Sequence, residues 1–213
     1  MPATALKPRA PQQRSQNTRN ALLAEATEAF TSQGYDGVSV RALEAAAKVQ
    51  HGAVAYHFKN KKNLWKAAVD GLLARFASHL DPLRATILDL DEEARLRVTI
   101  TAIVRFSAQT PQFSRLMVQE GRFNTWRLHY LLDTFLRDRM AWLNDMIGLM
   151  DDPHTYYIGI GAATQVFDVE QSCRELFGVD PTSDAFIKEH ASRVTDTLIF
   201  LRAQRASKKS KKR

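Results

Sequence analysis

The order of apolar and chain-breaking residues between Thr18 and Trp65 leaves this segment little choice but three short helices around one small core. The segment reads TRNALLAEATEAFTSQGYDGVSVRALEAAAKVQHGAVAYHFKNKKNLW. Leu22, Ala26, Ala29, Phe30 and Gln33 fall at helical spacing, so one stripe faces inward until Gly34 stops the helix. Tyr35 and Val38 then plug the following loop into the same core. Ser39 is placed as an N-cap, its hydroxyl accepting from an amide of the next turn, and Val40, Leu43 and Ala47 continue the spacing. This second helix has room for about ten residues at most. Ala47, Lys48 and Val49 form a turn with Val49 as its buried plug, and Gln50 to Phe58 form a third helix. Val54 and Phe58, four apart, face the core and leave Gln50, His51, Gly52, Ala53 and Tyr56 outside.

Helix, short turn, helix is an arrangement in which the second helix of the pair enters a DNA major groove with its N-terminal end first. Gln50 and His51 are then nearest the base edges. Arg41, on the outer face of the second helix, can reach the backbone or a base, and Ser39 can donate to a phosphate as well as cap. Lys61 opens a fourth helix, where its ammonium and the free first-turn amides can face one phosphate. A plainer reading makes His57 a core histidine held by a backbone carbonyl, and Lys59, Lys61 and Lys62 a solvated face. The order and spacing of the whole set favour the DNA reading.

The stretch AKVQHGAVAYHFKNKKNLW resembles the end of the DNA-binding domain of the TetR family of bacterial transcription regulators. The matching features are Val49 in the turn, the triplet Tyr56, His57, Phe58, the run Lys59, Asn60, Lys61, and the pair Leu64, Trp65. Ala53 stands where a threonine is frequent, and Ala55 where a second aromatic is frequent. The resemblance implies a three-helix reading head, a ligand-binding helical body, a homodimer, and release from an operator by a small molecule. It also implies backbone contacts for Tyr56 and His57, for which a phenol and an imidazole are chemically suited.

Charge is divided along the chain in the same sense. Residues 1–80 hold 11 Lys and Arg against 5 Asp and Glu, residues 81–201 hold 12 against 18, and residues 202–213 hold 7 against none. A basic head gains affinity by displacing counterions from DNA, whereas an acidic body has no such attraction. The single cysteine excludes an intramolecular disulfide and fits a reducing compartment. No run of about eighteen apolar residues offers a membrane span, and the N-terminus has no apolar signal core, so a cytoplasmic protein is expected.

The expected organisation is all-helical, with about nine helices. Residues 1–16 form a basic arm with Pro2, Pro8 and Pro11, either simply unfolded or touching DNA beside the main contact. Residues 17–66 form the helix-turn-helix head, 67–204 a helical ligand-binding and dimerisation body, and 205–213 an unfolded basic tail with only nonspecific attraction to nucleic acid. In the body, the fourth helix runs from Lys61 to His79, and Asp81-Pro82 interrupts the chain. Asp91 caps a fifth helix and Thr110-Pro111 opens a sixth, ended near Gly121. Asn124 caps a long seventh reaching Met150, Asp152-Pro153 opens an eighth ending at Gly178, and Asp180 to Ser183 precede a ninth that passes Leu201. The boundary between head and body falls inside or just after the fourth helix.

Residues 156–167, YYIGIGAATQVF, are apolar around almost the whole helix and need cover on more than one side. Gly159, Gly161, Ala162 and Ala163 permit close backbone approach. Phe186, His190, Val194, Leu198 and Leu201 give the ninth helix a second stripe. The family resemblance implies that these two helices pair with their symmetry mates in a four-helix bundle; the alternative makes the eighth helix the central helix of the body.

An effector pocket is less legible. Phe106, Phe113, Met117, Phe123, Trp126, Tyr130, Met140 and Phe167 can line a cavity for an apolar or amphipathic small molecule, with Gln165, Asp168 and His129 as polar candidates. Each can equally be core packing. An enzyme is not expected. His129 and Asp133 lie at i, i+4, but the chain has no Glu-x-x-His pair, no His-Glu-x-x-His and no phosphate-binding glycine loop, and Cys173 has no evident base. No cofactor or metal is expected. The partners expected are a near-palindromic duplex, a second copy of the chain and a small-molecule effector. A nonspecific architectural DNA binder is the competing class, distinguished by weak preference for any one sequence.

Overall fold

The computed structural model describes residues 10–148 and 152–210, and every regular element among them is a helix. In chain order these are α1 (Ala10–Gly37), α2 (Val40–Ala46), α3 (Ala53–Phe58), α4 (Lys61–Leu80), α5 (Leu83–Thr86), α6 (Glu92–Gln109), α7 (Pro111–Gly121), α8 (Trp126–Leu131), α9 (Arg137–Ile147), α10 (Pro153–Asp168), α11 (Glu170–Phe177) and α12 (Asp184–Ser210). A π-helical turn, Leu132–Leu136, joins α8 to α9. Two compact units divide between Leu72 and Leu73, inside α4.

The first unit forms as its apolar spacing dictates. Leu22, Ala26 and Phe30 of α1 are fully buried, and Val38, Leu43, Val54, Phe58, Leu64 and Trp65 close the core. Each large side chain of this set contributes about 1.5–3 kcal/mol by leaving water. Gln33, expected on the inner stripe, is exposed. Gly34 has φ 77° and ψ 164°, a conformation open to glycine, and it breaks the helical path at the end of α1. Tyr35 returns over Phe30, rings stacked at 5.9 Å, and meets the edge of Trp65 at 6.4 Å. The Asn60 side chain accepts from the Asn63 amide at 2.9 Å and caps α4. At the other end α1 begins at Ala10, inside the segment expected to be an arm. There Gln13 donates to Asn17 and Gln16 to Asn20, helical i, i+4 pairs that the prolines had obscured. Lys7 and Arg9 of the arm lie outside the described residues.

The second unit is organised on α6, which packs against α7, α9, α10 and α12. Asp91 caps it, accepting from the Ala94 amide at 2.8 Å, and Leu96, Ile100, Ile103, Val104 and Phe106 are its buried face. A Cβ on Gly159 would stand 3.0 Å from a Leu198 methyl, so glycine sets the approach of α10 to α12. Gly161 has nothing comparable beside it, so the close approach is confined to one of the two glycines.

Two expected long helices are interrupted. The seventh is capped by Thr125, which accepts from the Leu128 amide, while Asn124 faces His129 Nε2 at 2.8 Å. It then passes through the π turn and ends at Gly148, whose φ of 61° is left-handed; Met150 lies outside the described residues. The eighth breaks at Val169 (φ −119°, ψ 36°) into α10 and α11 before Gly178 ends it. Neither break carries a proline or glycine, so nothing in the spacing marks it. α12 continues to Ser210, into the tail expected to be unfolded. The tail's remaining residues, 211–213, lie outside the described set.

Candidate nucleic-acid interface

The turn between α2 and α3 is tighter than its sequence suggests. Lys48 takes a left-handed φ of 54°, Gly52 takes φ 90°, and α3 starts only at Ala53. Gln50 and His51 therefore stand in the turn leading to α3 and not on the helix itself. Val49, expected as a buried plug, is half-buried. Ser39 caps α2 as expected, accepting from the Ala42 amide at 3.5 Å.

A glycine at the N-cap of α3 has no side chain with which to satisfy the first-turn amides. Glu44 supplies the acceptors from α2. Its Oε1 accepts from the Val54 amide at 2.9 Å and its Oε2 from the Gly52 amide at 3.2 Å, and His51 Nδ1 lies 3.0 Å from Oε2. Glu44 is only 2% exposed. Burial alone would raise its pKa, but the amides of Val54 and Gly52 and the His51 ring outweigh this and hold the carboxyl below its usual value. Nothing in the sequence marked Glu44. A charged residue on a short helix reads as solvated surface, and the available signal was indirect: Gly52 at a helix start with no capping side chain nearby.

Ser39, Arg41, Gln50, His51, Gly52 and Tyr56 are exposed, while His57 and Lys61 are partly so. Tyr56 is 80% exposed, a large aromatic with no core role, and its ring meets His57 edge-on at 4.8 Å. The Lys61 ammonium lies 4.6 Å from the centre of the Tyr35 ring, a cation–π contact that holds it at the start of α4. Ala53 is a correction. Expected on the outer face, it is 8% exposed and packs inward beside Val54, because the later start of α3 shifts which positions face the core.

In the body the candidate pocket residues do not form one lining. Phe106 and Phe113 belong to an aromatic cluster with Phe76 and Phe135, Phe76 stacking on Phe113 at 4.5 Å and meeting Phe106 edge-on at 5.1 Å. Phe123 is exposed with Arg122 over its ring, Gln165 is exposed, and Met117, Trp126, Tyr130 and Met140 are half-buried. Phe167 is buried against His190, and Asp168 accepts from Ser114 at 2.5 Å. Phe106 lines an open cleft of about 440 Å³ with Arg75, Ser78, His79, Gln109 and Thr110. A second cleft, about 510 Å³, lies among Asp81, Arg84, Phe135, Asp138, Arg139 and Trp142. Sequence reasoning reached Phe106 but not the polar residues around it. Among the described residues no group of His, Cys, Asp and Glu is placed to hold a metal, and no helix is long and apolar enough to cross a membrane.

Three helices, with a tight turn between the second and third and exposed Gln50, His51 and Tyr56 around that turn, form a helix-turn-helix arrangement. Residues 22–68 match the family model described as bacterial regulatory proteins, tetR family. The transcriptional repressor AcnR of Corynebacterium glutamicum is 39% identical over 61 residues, 29% of this chain and 32% of the relative. The transcriptional repressor NicS of Pseudomonas putida is 27% identical over 110 residues, 51% of this chain and 50% of the relative. The chain thus matches about a third to a half of these relatives' lengths. Among solved structures, a TetR-like transcriptional regulator from Rhodococcus sp. RHA1 superposes with a TM-score of 0.62 at 17% identity, over 93% of this chain and 99% of that one. The fatty acid degradation regulator FadR from Bacillus halodurans gives 0.57 at 17% identity, over 89% and 97%. At this identity the likeness shows a shared all-helical fold that extends through the body.

Proposed function

We propose that the chain acts in the cytoplasm as a homodimeric transcriptional repressor that binds a near-palindromic operator and leaves it when a small molecule occupies the helical body. The observation that carries this is the turn before α3, where Gln50 and His51 are exposed on a rigid support with Tyr56 beyond them. Gln50 and His51 read base edges. Ser39, Arg41, Tyr56, His57 and Lys61 fix register on the phosphates, and Gly52 allows the backbone to approach the duplex closely. The sign of regulation follows the two similar repressors.

Dimerisation is supported by an uncovered stripe on α10. Tyr157, Ile158, Ala162 and Gln165 are exposed at helical spacing, and Phe200 is exposed on α12. Their apolar content suits an isologous interface, and two heads reach enough phosphates for useful affinity where one does not. An apolar or amphipathic effector bound among the middle helices acts through α4, which carries the chain from the body into the head. It can do so only by favouring one spacing of the heads over another; a tenfold loss of operator affinity needs a differential of about 1.4 kcal/mol. A thermal-shift screen in which apolar or amphipathic metabolites raise the midpoint supports that effector class, and one in which polar metabolites alone do so removes it. Competition binding tests the function itself: an operator should be preferred over bulk duplex by about 10³-fold or more, and a far smaller ratio would indicate an architectural DNA binder.

A further inference from the structure

The buried carboxylate of Glu44 touches His51, a side chain at the turn whose hydrogen-bonding sense is set by its tautomer. An ionised carboxylate only accepts, so the His51 nitrogen 3.0 Å from Oε2 must be the one that carries the proton. That nitrogen is Nδ1. In a neutral ring Nε2 is then left with a lone pair, and the His51 side chain is 84% exposed. We propose that Glu44 is a specificity-determining positioning residue: it holds His51 as the Nδ1–H tautomer, so that the turn presents a hydrogen-bond acceptor to DNA. The inference rests on the DNA-reading role proposed above. A neutral His51 so held selects a base whose major-groove edge offers an amino group, adenine N6 or cytosine N4, and disfavours guanine, whose N7 and O6 both accept.

Glu44→Gln inverts this logic with almost no change of shape. The amide oxygen of glutamine can take only one of the two carboxylate positions. Facing Val54, it satisfies a buried amide; facing His51, it leaves that buried amide opposite a donor. The first orientation wins, because a buried unsatisfied donor costs more than the partly exposed Gly52 amide, which water can reach. The glutamine NH2 then donates to Nδ1, the imidazole proton moves to Nε2, and the turn presents a donor.

The test is selection from a random duplex pool with the full chain, His51→Ala and Glu44→Gln. His51→Ala should erase the base preference at one half-site position. At that same position Glu44→Gln should exchange adenine or cytosine for guanine by about fivefold or more, other positions unchanged. Retention of the original base by Glu44→Gln, or an even loss at all positions, overturns the inference while leaving the DNA-reading role in place; an unaltered preference in His51→Ala overturns both the inference and the base-reading role of His51. A wild-type chain that enriches no motif overturns both. Imidazole ¹⁵N shifts of the wild-type chain, with His51→Ala as the assignment, test the tautomer without relying on a folded Glu44 variant. A protonated Nδ1 is expected, and a protonated Nε2 contradicts the proposal.

Discussion

Arg127 Nε donates to Glu120 Oε2 at 2.7 Å, and both side chains are withdrawn from water, Glu120 to 2% exposure and Arg127 to 11%. The bond ties the end of α7 to the first turn of α8, across a connection with no other regular structure. Two desolvated charges hold each other in place here, and neither tolerates losing its partner.

Arg127→Ala should therefore destabilise the chain by about 3–5 kcal/mol, since the glutamate is left buried and unpaired. The double variant Glu120→Leu, Arg127→Met should recover most of that loss, because an apolar pair of similar volume avoids the desolvation cost altogether. Urea denaturation of the three chains checks both. A single variant within about 0.5 kcal/mol of wild type would mean that the pair is surface-like.

Gly52→Ala should cost about 1–2 kcal/mol. A Cβ there meets nothing within 4 Å, so the loss comes only from forcing an L residue to φ 90°. The same variant should weaken DNA binding by distorting the turn that carries His51. Thermal unfolding read beside operator affinity separates the two effects, and an unchanged midpoint would contradict the backbone assignment.

Asp168 has a pKa raised from the usual aspartate value of 3.8, chiefly by burial, against the opposing effects of the Ser114 hydroxyl and Arg115. An acid with a raised folded pKa favours the fold below its unfolded value and loses that contribution as pH climbs from 3.8 through the folded pKa. Asp168→Asn keeps an acceptor for Ser114 and removes the ionisation. It should be at least as stable as wild type at pH 7 and should lack the wild-type decline across that window. Midpoints measured from pH 4 to 8 decide it; parallel curves for the two proteins would mean that Asp168 titrates normally.

His51→Ala and Lys61→Ala should fail differently. The first should change which sequences are bound, with about 1–3 kcal/mol of discrimination lost at one position. The second should weaken all sequences alike and reduce the salt slope by about 0.9. If both variants keep wild-type preference and affinity, neither residue meets DNA.

Much of this fold was legible because apolar spacing and chain-breaking residues determine it. Leu22, Ala26 and Phe30 are buried as their spacing requires, Ser39 and Asp91 cap the helices they precede, and Gly34 and Gly178 end theirs. The elements that escaped are those with no local marker. Val169 and the π turn at Leu132–Leu136 break helices with ordinary residues, their cause being tertiary packing. Ala53 was misplaced because α3 starts later than its apolar pattern, a shift set by the left-handed Gly52. Glu44 and Glu120 escaped for a shared reason: a buried carboxylate is identified by what lies opposite it in space, and their partners stand seven to ten residues away.

The most direct measurement is selection of bound duplexes by the full chain from a random pool, followed by rebinding at raised salt. Enrichment of a short inverted repeat that survives the salt challenge is expected, its half-sites spaced for two heads on successive turns of one face of the duplex. Binding that enriches no motif and falls away smoothly as salt rises would contradict a sequence-reading dimer.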